Sequence, residues 1–193
     1  MANIANKIDR DGLTMAYQST YNAVGTPGTT PATAAVILAA GAKMDFEAAP
    51  RDKQRSLIID PLANASMVDV LKGLFQSSEK ISDQYEEGNM GLAFGFKWSM
   101  DQNVVAHTVG PLGGTPLTNG VPAQGATTLV TDGWTASAAN RLKKGDVFTI
   151  ANVYAVNPQT RASTGQLRQF VVTADVSSDG SGNLTAAISP AIQ

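Results

Sequence analysis

The sequence predicts an α+β protein. An α/β portion over residues 1–107, with helices packed on a small sheet, is followed by a small antiparallel β-barrel over residues 108–193. Three observations predict this division. Arg51–Phe75 reads as strand, abrupt turn and amphipathic helix, the middle of an α/β layer. Thr108–Gly125, TVGPLGGTPLTNGVPAQG, holds five glycines, three prolines and no charge, so regular structure should lapse there and a second domain begin. Beyond it, short β-rich segments alternate with turn residues, the pattern of a small antiparallel barrel or sandwich.

The strand–helix unit is the most explicit stretch. Leu57, Ile58 and Ile59 form an apolar run in which the β-branched pair favours a short buried strand. Asp60 can cap a helix by accepting backbone N–H groups, and Pro61 suits the first helical position, where no N–H is required. Met67, Val70, Leu71 and Leu74 then recur at helical spacing, with Val68 and Phe75 beside them.

Upstream, Met1–Val24 predicts a helix with Ile4, Ile8, Leu13 and Met15 as its apolar contacts and Gly12 as a break or kink. GTPGTTP at Gly25–Pro31 is a loop. It lacks the Gly-Lys-Ser/Thr ending of a P-loop and follows no strand, which speaks against a phosphate cradle. Thr30–Pro31 opens a second helix to about Met44, with Val36, Ile37 and Ala40 along it. Asp45–Gln54 is a charged connector. Downstream of the central unit, Ser77–Glu87 predicts a short helix pairing Ile81 with Tyr85. The adjacent Glu86 and Glu87 point apart on a helix and make a solvated end, not a catalytic pair. Gly91–Val105 turns extended, with Phe94, Phe96 and Trp98 alternating onto one strand face. Gly91 and Gly95 share the spacing of membrane helix dimers, but the apolar run is short and carries Lys97. In the second half the strands fall at Ala126–Val130, Val147–Val156, Gln166–Val176 and Leu184–Ile188. Ser137–Leu142 adds a short helical turn, Lys143–Asp146 is a turn, Asn157–Gly165 a loop, and Ser177–Asn183 closes a hairpin.

A resemblance runs through these segments. ANKIDRDGL at Ala5–Leu13, YNAVGTPGTTP at Tyr21–Pro31 and RSLIIDPLANA at Arg55–Ala65 resemble the major capsid (coat) proteins of short-tailed bacteriophages. The likeness continues through GLAFGFKWSMDQNVVAHTVG at Gly91–Gly110 and through Lys143–Asn183, which is similar to the β-barrel inserted in that family's Hong Kong ninety-seven fold. The resemblance implies a partial capsid core domain over residues 1–107 and an inserted barrel over 108–193. It implies a virion structural protein, from a phage or prophage, that self-associates into capsomers and an icosahedral shell around the genome. A scaffolding protein would assist assembly, which would take place in the host cytoplasm. The family's amino-terminal arm and extended loop have no counterpart before Met1, and its returning segment has none after Gln193, so the resemblance further implies a piece of such a subunit. The candidate for the family's charged barrel loop, Gly113–Gly125, carries no charge.

Composition narrows the function classes. Of 193 residues, 16% are charged, below the roughly 25% usual in globular chains. A net charge of −2 gives no basic field for nucleic acid. Without cysteine there are no disulfides, thiolate metal sites or thiol chemistry. No apolar run reaches membrane-spanning length, and Met1–Asp11 is too polar for a signal peptide. The expectation is therefore a non-enzyme with no catalytic, cofactor or metal residues, no sequence-specific nucleic-acid contact and no membrane partner.

The individual candidates support that expectation. Asp175, Ser177, Asp179 and Gly180 imitate the start of an EF-hand loop, but Ala186 stands where a bidentate Glu is needed, and a hairpin turn explains them. His107, the single histidine, reads as a hydrogen-bonded structural residue at a strand end. Arg141, Lys143 and Lys144 beside Asp146 read as a solvated turn. Trp98 and Trp134 read as core anchors of the two halves. The alternative is a monomeric barrel that binds a saccharide or nucleic acid through exposed aromatics around Trp134 and Tyr154. A hydrolase would need distant carboxylates to converge on His107.

Overall fold

The structure, a computed structural model, describes residues 2–71 and 91–193. It is α+β, and two compact units emerge: Met1–Asn6, Val24–Val104 and Val156–Thr164 in the first, Lys7–Ala23, Val105–Ala155 and Gly165–Gln193 in the second. Among the described residues lie helices α1 (Ala2–Ser19), α2 (Ala34–Phe46) and α3 (Pro61–Leu71). The strands are β1 (Ser56–Ile59), β2 (Leu92–Ala93), β3 (Phe96–Met100), β4 (Gly114–Thr118), β5 (Thr128–Trp134), β6 (Val147–Val156), β7 (Ser163–Val172) and β8 (Leu184–Ser189).

The first unit is built around the strand–turn–helix. Strand β1 pairs in parallel with β3, Ile59 opposite Met100, and β2 pairs antiparallel with β3, giving the order β1-β3-β2. At the end of β1, Asp60 Oδ1 accepts the Ala63 N–H at 2.7 Å and α3 opens on Pro61, as the Asp–Pro pair predicts. One face of the sheet and the inner faces of α2 and α3 share the core: Ile37, Ile59, Ala63, Met67, Phe96 and Trp98 are buried together. Trp98 donates its indole N–H to the Ala93 carbonyl at 3.0 Å, so its burial leaves no unpaired donor.

Several expectations for this half change. Phe94 does not share a strand with Phe96 and Trp98. It sits at φ 51° in the turn between β2 and β3, beside Gly95, and packs onto the core from there. Alternation fails because the chain reverses inside the aromatic run. Helix α1 passes through Gly12 unbroken, and of its expected apolar contacts Ile4, Ile8 and Met15 are exposed while Leu13 is half-buried. Helix α2 begins three residues later than the proline suggested, after Thr33, because Pro31 lies outside the first turn. The helix expected at Ser77–Glu87, with Glu86 and Glu87, lies outside the described residues.

In the second unit five strands form one curled antiparallel sheet, a half-barrel, in the order β4-β5-β8-β7-β6. The central β8 alternates buried and open positions, and Leu184, Ala186 and Ile188 join Leu129, Leu142, Phe170 and Val172 in its core. Phe148 stacks on Phe170 with centroids 5.8 Å apart. The uncharged stretch Thr108–Gly125 is not wholly irregular: β4 forms within it at the sheet edge, every residue exposed. Its ladder to β5 is interrupted by a bulge, and Pro116 lacks an N–H, both tolerated at an edge. Residues 137–142 form turns rather than a helical turn, closed by an isolated bridge between Leu142 and Val176.

Candidate functional site

The first unit holds an open recess of about 400 Å³ lined by Leu38, Gly41, Ala42, Asp45, Arg51, Lys53, Arg55, Phe94 and Gly95. Its polar wall is a charge knot. Asp45, in the last turn of α2, meets two guanidinium groups from the connector that leads into β1. Arg55 is buried; it donates from Nη2 to Asp45 Oδ1 at 2.8 Å and to the Ala49 carbonyl at 2.7 Å, and from Nε to the Pro50 carbonyl at 3.0 Å. Arg51 grips the same carboxylate in a fork, Nε on Oδ1 at 2.9 Å and Nη2 on Oδ2. Hydrogen bonds from Arg51 and then from Arg55 hold the Asp45 carboxyl far below the usual carboxylate range, and Asp45 raises the Arg51 guanidinium in return. The sequence reading passes over this place as a charged connector. Arg51 and Arg55 sit four apart as a visible signal, but only the fold brings Asp45 and Phe94 to them.

In the second unit the single histidine and the basic cluster have structural partners. His107 donates from Nε2 to Asp146 Oδ1 at 2.6 Å, and Asp146 Oδ2 accepts the backbone N–H of Lys143 at 2.8 Å and of Gly110 at 3.2 Å. Tyr17 leans against the imidazole with ring centroids 5.2 Å apart. No serine or threonine hydroxyl is hydrogen-bonded to His107 among the described residues, so the pair fixes the chain at residues 107–110 to the turn at 143–146 and holds no activated nucleophile.

Arg141 departs from the solvated turn expected of it. It is 5% exposed, donating to the carbonyls of Leu112 and Thr135, while its Nε is buried without a partner. Arg141 therefore ties down the Gly/Pro-rich lead-in, a role that composition alone does not disclose.

The EF-hand imitation is consumed by its own turn. Asp179 Oδ1 accepts the N–H of Ser181 and of Asn183, both at 2.8 Å, and Asp175 Oδ1 accepts the Lys144 N–H. Ser177 Oγ accepts the N–H of Asn140. These oxygens hold backbone, and among the described residues no three His, Asp or Glu side chains cluster as a metal site. Trp98 is buried and Trp134 packs at the fringe of its core, donating Nε1–H to Thr131 Oγ1 at 2.8 Å. Tyr154 is half exposed on β6, three strands away from β5 in the sheet order, roughly 14 Å at the usual strand spacing. Among the described residues no ring contact joins Trp134 to Tyr154.

No protein-family model matches the chain, and no curated protein is a detectable relative of it. Among the described residues no helix is long and apolar enough to cross a membrane.

Proposed function

We propose that the chain is a structural subunit of the phage coat type, whose task is association with copies of itself into a shell around a genome. The observation that carries this reading is the apolar surface that the first unit leaves uncovered. Leu38 and Phe46 on α2, Ile58 on β1, Leu62 and Val70 on α3, Leu92 on β2 and Met100 on β3 are all exposed. Single exposed apolar residues need no explanation; we read these seven, spread over α2, β1, α3, β2 and β3, as area that further copies would cover. Helix α2 adds to it: Ala34–Ala42 carries no polar side chain, the composition of a buried helix, yet Ile37 is the residue of α2 that is buried.

Under this reading the function is mechanical. The half-barrel is a separately cored insertion of the Hong Kong ninety-seven type, the partners are further copies and a scaffolding protein during assembly, and the place of action is the virion shell. The His107–Asp146 pair engages no serine or threonine hydroxyl among the described residues, and no catalysis is assigned. Sedimentation velocity with electron microscopy of the same sample tests the proposal. Species heavier than one chain, growing with concentration into rings or shells, are expected. A monomer at every concentration overturns it.

A further inference from the structure

The recess of the first unit has features that shell building does not require. Its lining holds three cations, Arg51, Lys53 and Arg55, and one carboxylate, Asp45, an excess of two positive charges (three minus one). Arg55 directs its hydrogen bonds inward, to Asp45 and to the carbonyls of Ala49 and Pro50. Arg51 reaches Asp45 through Nε and Nη2, which leaves Nη1 on a side chain that is 75% exposed. Lys53 is exposed, and its ammonium has no hydrogen bond or ion pair among the described residues. Two cationic groups therefore remain open to a ligand.

The rest of the lining is apolar or small. Leu38 is exposed, Phe94 is half-buried, and Gly41, Ala42 and Gly95 leave room between them. Lys53 and Phe94 both stand at positive φ, 62° and 51°, where residues with side chains are seldom found. Of the eight described non-glycine residues at positive φ, these two line the recess. A volume of about 400 Å³ lies within the range of small-molecule sites.

We infer that this recess binds a small organic phosphate monoester, with the phosphoryl group on Arg51 and Lys53 and a planar apolar body against Leu38 and Phe94. The charge excess selects the class. A phosphate monoester carries close to two negative charges at neutral pH and presents several acceptor oxygens to a guanidinium and an ammonium. A monocarboxylate leaves one positive charge unmatched, and inorganic phosphate leaves the apolar lining unused.

Isothermal titration of the full chain at low salt with phenyl phosphate, inorganic phosphate and benzoate tests this. Phenyl phosphate should saturate, binding about tenfold tighter than either of the others. Lys53→Ala and Arg51→Ala should each weaken it about five- to tenfold, as removal of one partly solvated charge does. Leu38→Asp, at an exposed position that leaves the core intact, should abolish it. Lys144→Ala, in the second unit, should change nothing. Absence of saturation overturns the assignment. So does equal loss in Lys53→Ala and Lys144→Ala, or inorganic phosphate matching phenyl phosphate. Because Leu38 belongs both to the recess and to the exposed apolar residues of the first unit, the titration is run at a concentration where the chain sediments as a single species; absence of binding there overturns this assignment and leaves the coat reading standing.

Discussion

Asp146 shows how much one side chain organises. At 4% exposure it accepts from His107 and from two backbone N–H groups, of Gly110 and Lys143, and thereby fixes the lead-in to the second unit. Gly110 belongs to the same arrangement, since a Cβ there would lie 2.5 Å from the Arg141 carbonyl oxygen. Asp146→Asn keeps the shape but turns one acceptor into a donor facing donors. It should cost about 1–3 kcal/mol, read as a lower urea midpoint with an unchanged slope. Asp179 gives a pH-dependent case. Hydrogen bonds led by the Asn183 N–H hold its carboxyl below the ordinary 3.8. Because the folded value is depressed, its stabilisation is present in full above the ordinary value and is lost as pH falls through the folded one. Asp179→Ala should therefore lower the melting temperature at pH 6–7, and the gap from the parent should narrow as pH falls below 4. A gap that is constant with pH would mean the turn geometry, not the charge, is what the substitution removes.

At the scale of elements, legibility followed how local the cause was. Asp60–Pro61 declares a helix start through its own chemistry, and α3 begins there. Strand β6 spans Val147–Val156 as its β-branched and aromatic residues indicate. Alternation puts Phe94 on the strand face because it cannot reveal a reversal that depends on a left-handed residue before Gly95. Strand β4 is hidden from the sequence because an edge needs only one partner, and β5 supplies the pairing that Gly/Pro-rich composition argues against. The recess was out of reach for a related reason: Asp45 and Phe94 are separated by 49 positions of sequence (94 minus 45), and charge spacing says nothing about contacts at that range. The cap itself is testable. Asp60→Ala should cost about 1 kcal/mol, seen as a lower denaturation midpoint, because it leaves the Ala63 N–H without its acceptor. An unchanged midpoint would mean that Pro61 alone sets the start of α3.

At the scale of the whole molecule, the question is what the uncovered apolar residues of the first unit are for. Leu62 is 74% exposed in the first turn of α3, and Ile58 is exposed on the edge strand β1. Neither side chain belongs to the buried core, so replacing them should cost the fold little. Aspartate at position 62 is also favoured by the helix dipole, and lysine at position 58 is the kind of residue that keeps edge strands from pairing. Leu62→Asp combined with Ile58→Lys should therefore leave the circular dichroism spectrum and melting temperature close to the parent's. If the exposed apolar surface drives association, the same variant should shift the sedimentation distribution toward a single chain, because charges placed within an interface are costly to desolvate. The salt dependence separates this cause from a charge-driven one. Association through apolar surface should strengthen in sulfate, whereas association through ion pairs between chains should weaken as salt screens them. A parent that associates, a variant that does not, and strengthening in sulfate would together place the contact on the first unit. Association that persists unchanged in the variant would move it to other surfaces, of which the uncharged β4 edge with Leu117 and Val121 is the first to test.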